Sequence, residues 1–369
     1  TIVNSILKIL QSKGVKVGLA APTGRAAKRI YETTGCEAKT LHRLLQKNIG
    51  QNQYTNNIFM LDYDLLIVDE VSMVDVALMF SLLRALPNGA ALLLVGDADQ
   101  LPSVGPGRVL ADIIDSNVFE VIRLTEIFRQ VGSSKIITNA YRINNGLVPN
   151  LINEDPNQSD FFFIQANTSE QALEVISALV TKNIPNKFGI SPLRDVQILS
   201  PMNKGALGVK NLNVVMQKLL NPNQEKNVSI LGTTFMVGDK VMQIENNYDK
   251  EVYNGDIGFI YSIDHASQEM SIYFDTRLLV YDFSELVEIS LAYAITIHKS
   301  QGSEYHTVII PLVNEHFVML QRNLLYTAVT RGKKLVILVG QQKAVELAVG
   351  KVSQVQRYSS LKQKLTNNF

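Results

Sequence analysis

The stretch 65-LLIVDE-70 decides how this chain is read. Leu65, Leu66, Ile67 and Val68 form a short apolar run with two β-branched members, which predicts a buried strand. The strand then meets two adjacent carboxylates, Asp69 and Glu70. A strand end that reaches water accommodates two charges at little cost. In a parallel sheet, however, the carboxyl ends of the strands line the ligand crevice, where such acids meet a nucleotide. One can hold a divalent cation that bridges phosphates, and its neighbour can orient or deprotonate an attacking water. These six residues alone leave both readings open.

Outward from that strand the chain alternates. Apolar residues at Ile2, Val3, Ile6, Leu7 and Leu10 predict a helix over 1–10, stopped by Gly14. Val15 to Ala20 reads as a strand, Ala21-Pro22-Thr23-Gly24 as a loop and Arg25 to Glu32 as a helix. A helix from Val76 to Leu86 follows a capping Asp75, then the turn Pro87-Asn88-Gly89 and strands at Ala91 to Val95 and Val121 to Leu124. Strands without polar alternation, interleaved with helices, indicate a parallel sheet covered on both faces, so the first half reads as a doubly wound α/β domain. A second α/β pattern starts at Val196 to Leu199 and resumes at Thr307 to Pro311 and Leu335 to Val339. Between its parts, DKVMQI, DIGFIYSI, EMSIYF and RLLVYDF are short and β-rich with turn residues between them, which predicts a small antiparallel barrel inserted in the second domain. The polar stretch 46-QKNIGQNQYTNNIFM-60 reads from its pattern as a solvated surface loop. No repeat of solenoid period and no low-complexity tract is seen.

At 369 residues the chain suits two or three domains. No apolar run reaches the roughly 18 residues that span a bilayer, and Thr1 to Leu10 lacks the marks of a signal peptide. Cys36 is the single cysteine, so no intrachain disulfide forms, and a reducing, cytoplasmic setting without membrane contact is expected. A net charge of +1 means that nucleic-acid binding, if present, rests on local groups rather than bulk basicity.

The next strand adds weight to the nucleotide reading. Leu92-Leu93-Leu94-Val95 runs into 96-GDADQLP-102, so a second strand ends in a tight turn with polar side chains on the same edge. The Gln100 amide both donates and accepts hydrogen bonds, which suits a sensor of a terminal phosphate as well as a loop residue facing water. Together, GDADQLP and 65-LLIVDEVSM-73 resemble motifs III and II of superfamily 1 helicases. Other blocks follow in that family's order: 21-APTGRAA-27 is similar to motif Ia, 124-LTEIFRQ-130 to motif IV, 296-TIHKSQGSE-304 to motif V and 326-YTAVTR-331 to motif VI. APTGRAAKRI, GDADQLPSVG and ITIHKSQGSE resemble the RecD-like branch of DNA helicases, which moves 5′ to 3′. Each block is weak alone, but six in order span essentially the whole chain.

The resemblance implies two RecA-like parallel-sheet domains with an SH3-like β insertion in the second. Its ranges would be 1–122 for the first domain, 123–237 with 289–369 for the second, 238–288 for the insertion, and 46–60 for a hairpin that acts as a strand-separating pin. It implies ATP and Mg²⁺ as cofactors, with Asp69 on the metal, Glu70 activating water and Gln100 sensing the γ-phosphate. Arg129 and Arg331 would reach from the second domain to neutralise charge during phosphoryl transfer. Glu304, with Gly302 beside it, would contact the nucleotide ribose. Single-stranded DNA and duplex junctions are the implied partners, gripped by Pro22, Thr23, Arg25, Thr40, His42, Thr296, His298 and Lys299 through sugar and phosphate contacts. A helix cap accounts equally for Thr40, a core imidazole for His42 and His298, and a solvated basic turn for Arg331. Other subunits of a repair or nuclease complex are further implied partners.

One element of the family is missing: the phosphate cradle G-x-x-x-x-G-K-[ST] does not occur, since Gly332-Lys333 is followed by Lys334. Thr1-Ile2-Val3-Asn4 resembles the start of the helix that follows this loop, so residue 1 is expected just after its lysine, with Thr1 as a candidate metal ligand. Weak ATP hydrolysis by these residues alone is the expectation, and a catalytically silent DNA-binding or scaffold subunit is the alternative. No carboxylate-lysine cluster for a nuclease is seen.

Overall fold

The structure, a computed structural model, describes residues 2–46, 60–124, 134–153, 159–222, 226–352, 357 and 359–368. The chain forms two compact units, Thr1–Glu126 with Val355–Phe369, and Ile127–Gln354.

The first unit is built on strands β1 (Val17–Ala21), β2 (Ala38–Thr40), β3 (Leu65–Val68) and β4 (Ala91–Leu94), all parallel, in the order β2-β1-β3-β4. Side chains alternate across a strand, and here both directions lead into apolar cores. Ala20, Leu66 and Val68 meet Leu41, Leu44, Met79, Leu82, Val109 and Leu110 on one face. Leu19, Ala21 and Ile67 meet Leu7, Ala26, Ala27 and Ile30 on the other. Double burial is the reason LLIV carries no polar alternation. Helices Ile2–Gln11 and Val76–Ala85 form where the apolar spacing predicts them. Helix Gly24–Thr34 starts at Thr23, whose Oγ1 accepts the Ala26 N–H at 3.3 Å, and stops at Gly35 in the left-handed region.

Two expectations need correction. Val121 to Leu124 is not a strand: all four residues are exposed, Ile122 at 82%, and the segment pairs with no sheet. The run is apolar in composition but has no face to bury. The range 289–369 also fails as a block of the second domain, because its last fifteen residues, Val355–Phe369, group with the first unit. Helix Leu361–Asn368 packs there against helix Val109–Ser116, and Ser359 Oγ donates to the Asp112 carboxylate at 2.5 Å.

The second unit contains β5 (Phe161–Gln165), β6 (Val196–Ser200), β7 (Asn227–Ile230), β8 (Thr233–Met236), β9 (Lys240–Gln243), β10 (Ile257–Asp264), β11 (Glu269–Phe274), β12 (Arg277–Asp282), β13 (Ile289–Leu291), β14 (Ala294–Thr296), β15 (Tyr305–Leu312) and β16 (Gly332–Gly340). Its parallel sheet runs β14-β6-β15-β16-β5, and an antiparallel sheet runs β12-β11-β10-β9-β13, with β7-β8 as a separate hairpin. The antiparallel sheet takes in Ile289–Leu291, three residues past the expected boundary at 288.

Asp239 ties this insertion to its neighbours. Its carboxylate, fully buried, accepts from Asn221 Nδ2 at 2.8 Å, Tyr293 OH at 2.9 Å, Gln217 Nε2 at 2.6 Å and the Met236 amide at 2.8 Å. Burial pushes its pKa up, and these donors oppose that shift by favouring the charged form. Asp239→Ala would strand the donors in a dry interior, and a loss of about 3 kcal/mol is expected in urea unfolding. A loss well under 1 kcal/mol would show that the cluster relaxes onto water and does not hold the insertion. Among the described residues no helix is long and apolar enough to cross a membrane.

Candidate functional site

The strand register of the first unit brings its chemistry to one edge. Ala21 lies opposite Thr40, Ala20 opposite Val68, and Val68 opposite Leu94. Thr40, Pro22-Thr23-Gly24, Asp69-Glu70 and Val95-Gly96-Asp97 therefore all leave the sheet at its carboxyl edge, the side on which open α/β sheets bind ligands.

Asp69 is half-buried; its amide donates to Ala20 O at 3.0 Å and its own Oδ1 accepts the Glu70 N–H at 2.8 Å. Burial pushes its pKa up, and the Glu70 amide and the Arg29 cation pull the other way. Glu70 has φ 54° and ψ 39°, the left-handed region that a residue with a Cβ rarely adopts. The reversal starts a 3₁₀ turn, Val71–Met73, whose first amide donates to Val95 O at 3.0 Å and so ties the β3 exit to the β4 exit. Strain of this kind is held in place by its surroundings, here buried Val71 and Val74.

Gln100 is placed by Asp97. The Asp97 carboxylate accepts from the Asp99 amide at 3.0 Å and from Gln100 Nε2 at 3.1 Å, while Gln100 N donates to Asp97 O at 3.3 Å. The sequence signal for this positioning role of Asp97 is an aspartate opening a tight turn.

The hydroxyls of the expected DNA track are engaged locally. Thr23 Oγ1 caps its helix, and Thr40, only 4% exposed, accepts the Arg43 N–H at 3.0 Å. Both keep an O–H to donate. Arg25 and Pro22 are half-buried, and His42 is exposed rather than a core imidazole.

In the second unit, Thr296 ends β14 and its Oγ1 accepts the Lys299 N–H at 3.2 Å. Burial lowers the pKa of the half-buried His298, and desolvation lowers that of Lys299, so the imidazole favours its neutral form. Arg331, Gly302 and Glu304 come together. Arg331 Nη1 donates to Ser303 O at 3.0 Å, Nε to Thr327 O at 3.3 Å and Nη2 to Thr330 Oγ1 at 3.4 Å, while the Tyr305 amide donates to Arg331 O at 2.8 Å. Glu304 pairs with Lys333 at 3.3 Å. Arg331 is only 4% exposed, and these bonds hold its guanidinium against Ser303, Thr327 and Thr330. Thr1, Arg129 and most of the 46–60 stretch lie outside the described residues.

Sequence reading also passed over Arg357. Its Nη1 donates to Gly105 O at 2.7 Å, Gly107 O at 3.0 Å and Ser103 Oγ at 3.4 Å, and its Nη2 to Ser103 O at 2.7 Å. No local pattern announces a contact across about 250 positions.

Comparison with known proteins follows the same division. Residues 1–106 match the AAA domain family, 212–274 the SH3 domain of ATP-dependent RecD-like DNA helicases, and 291–339 the UvrD-like helicase C-terminal domain. The ATP-dependent RecD2 DNA helicase of Deinococcus radiodurans is 37% identical over 351 residues, covering 95% of this chain and 46% of that protein. The RecBCD enzyme subunit RecD of Mycobacterium tuberculosis is 30% identical over 392 residues, covering 95% of this chain and 64% of that one. The chain thus spans about half to two thirds of these relatives' lengths. Among solved structures, Pif1 helicase from Bacteroides in complex with ADP-AlF3 and single-stranded DNA has a TM-score of 0.54 at 22% identity, covering 88% of this chain and 82% of that one. Pif1 helicase from Candida albicans has a TM-score of 0.54 at 20% identity, covering 100% and 92%. At such identity these two show a shared fold.

Proposed function

The chain belongs to the RecD-like helicase family, and on that premise we propose that it is the motor core of an ATP-dependent DNA helicase that moves 5′ to 3′ along single-stranded DNA. The observation that carries this reading is the single carboxyl edge shared by Asp69, Glu70 and the Asp97-anchored Gln100.

Burial pushes the Asp69 pKa up, and a neighbouring cation would favour its charged form. Among the described residues no group of three or more His, Cys, Asp or Glu side chains could hold a metal alone, so Mg²⁺ at Asp69 would take its other ligands from phosphate and water. When bound, the ion would withdraw charge from the phosphates. Glu70 would accept the proton of the attacking water, and Gln100 would hold the γ-phosphate through its amide. Arg331 and Arg129 would neutralise charge on the phosphates, with Glu304 and Gly302 at the ribose. Pro22, Thr23, Arg25, Thr40, His42, Thr296, His298 and Lys299 would grip the strand by sugar and phosphate, a mode that needs few cations and agrees with the net charge of +1. The 46–60 stretch would act as the pin at a duplex junction.

Within the 369 residues no G-x-x-x-x-G-K-[ST] loop occurs, so these residues alone bring no amide cradle or lysine to the β- and γ-phosphates. Slow turnover by the isolated segment follows, and the same fact favours a second reading as a silent DNA-binding subunit. Strand displacement separates the two. With ATP, the full-length gene product is expected to unwind a duplex with a 5′ single-stranded tail and to leave a 3′-tailed duplex intact. Tight DNA binding with no ATP-dependent displacement of either would favour the silent subunit, and displacement of the 3′-tailed duplex alone would reverse the polarity.

A further inference from the structure

We infer that Arg357 is a positioning residue for Gln100, acting from a segment that returns to the first unit after the whole second unit has been traversed. This rests on the proposed role of the β3 and β4 exits in ATP hydrolysis.

The loop behind Gln100 has no regular secondary structure to fix it. Leu101 and Ser103 are buried, and beyond them the chain carries 104-VGPG-107. A loop with three glycine or proline residues in succession has many accessible backbone states, and holding one of them requires outside contacts. Arg357 provides such contacts. Its planar fork donates to the backbone carbonyls of Ser103, Gly105 and Gly107 and to the Ser103 hydroxyl, a pattern that a single ammonium cannot reproduce.

The opposite side of the loop rests on the start of helix Val76–Ala85. Val76 N donates to Pro106 O at 3.1 Å, and a Cβ built on Gly105 would fall 1.9 Å from the Asp75 carboxylate, so backbone and cap are in direct contact. Asp75 caps that helix through the Leu78 amide at 2.8 Å, and Asp75 lies two residues after the Val71–Met73 turn that begins at Glu70. One packed path thus links Glu70, its turn, the Asp75 cap, the 103–107 loop and Gln100, and Arg357 closes that path from outside. Near Arg357, Ser359 donates to Asp112, and helix Leu361–Asn368 packs on helix Val109–Ser116.

The arginine touches no reacting atom. Its effect is expected in the placement of Gln100 during turnover rather than in the affinity for ATP. Three variants of the full-length gene product test this: Arg357→Ala, Arg357→Lys, and Leu361→Ala, which loosens the same C-terminal helix without touching the loop. Arg357→Ala should lower the DNA-stimulated kcat roughly 10- to 100-fold with KM for ATP little changed. Amide hydrogen exchange over 103–108 should accelerate in the same variant while the β1 and β3 amides stay protected. Arg357→Lys should recover part of kcat, and Leu361→Ala should lower Tm yet keep kcat. A kcat for Arg357→Ala within twofold of the parent overturns the inference, as does an equal loss in Leu361→Ala, which would mark the segment as a general stabiliser. Glu70→Gln distinguishes this from failure of the underlying reading: ATP turnover insensitive to Glu70→Gln removes the assigned site itself, whereas turnover sensitive to Glu70→Gln but not to Arg357→Ala removes only the positioning role.

Discussion

Glu70→Gln is expected to reduce DNA-stimulated ATP hydrolysis by the full-length gene product by about 10³-fold, within the range that loss of a general base produces. Glutamine keeps the size and shape of the side chain, and the left-handed backbone at this residue is set by its neighbours rather than by its charge. What it loses is the ability to take a proton from water. Binding of single-stranded DNA should be unchanged, because that face is assigned to hydroxyls and cations on other loops. Glu70→Gly makes a sharper comparison. Glycine tolerates φ near 54° without the penalty of about 1 kcal/mol that a Cβ incurs. That variant should melt at or above the parent temperature while being equally inactive, a pattern that separates lost chemistry from lost folding. Turnover within tenfold of the parent for Glu70→Gln would show that another group activates the water.

Arg331→Ala is expected to have the largest effect, about 10³- to 10⁵-fold on kcat, the range associated with an arginine that neutralises charge in phosphoryl transfer. The structure adds a second consequence. The guanidinium is buried and donates to Ser303 O and Thr327 O, so its removal leaves two carbonyls without that donor and should also lower the melting temperature of the second unit. Arg331→Lys keeps the charge but cannot span both carbonyls, so stability should recover only in part and turnover should stay low. Phosphate release followed by stopped flow, beside a melting curve for each variant, resolves the two effects. A variant that melts lower but hydrolyses ATP within tenfold of the parent would assign Arg331 to structure alone.

The parts of this fold that read directly from sequence are those whose cause is local. Leu65 to Val68 reads as a doubly covered strand because both of its faces enter apolar cores, and Asp75 reads as a helix start because a cap is a matter of three residues. Val121 to Leu124 misleads because composition does not reveal whether a partner surface exists; Leu124 is 74% exposed. β2 is three residues long, too short to show a period, and it forms only beside β1. At the site, the acids and Gln100 are visible because they follow apolar strands. Asp97 makes contacts two and three positions away, so its role is also within reach of a sequence reading. Arg357 and the buried Asp239 cluster depend on contacts between distant positions, for which a single sequence carries no period or spacing.

The division of the chain also bears on how the molecule is made. The first unit takes its final pieces, Arg357 and the helix Leu361–Asn368, from the far side of 228 intervening residues, Ile127–Gln354. A ribosome delivering the chain from its amino end completes the second unit before the first can close, so the nascent segment 1–126 waits with its 103–107 loop unclamped and one helix uncovered. Expression of 1–126 alone would reproduce that unfinished intermediate, prone to chaperone capture or aggregation, and adding 355–369 in trans would be the direct way to finish it.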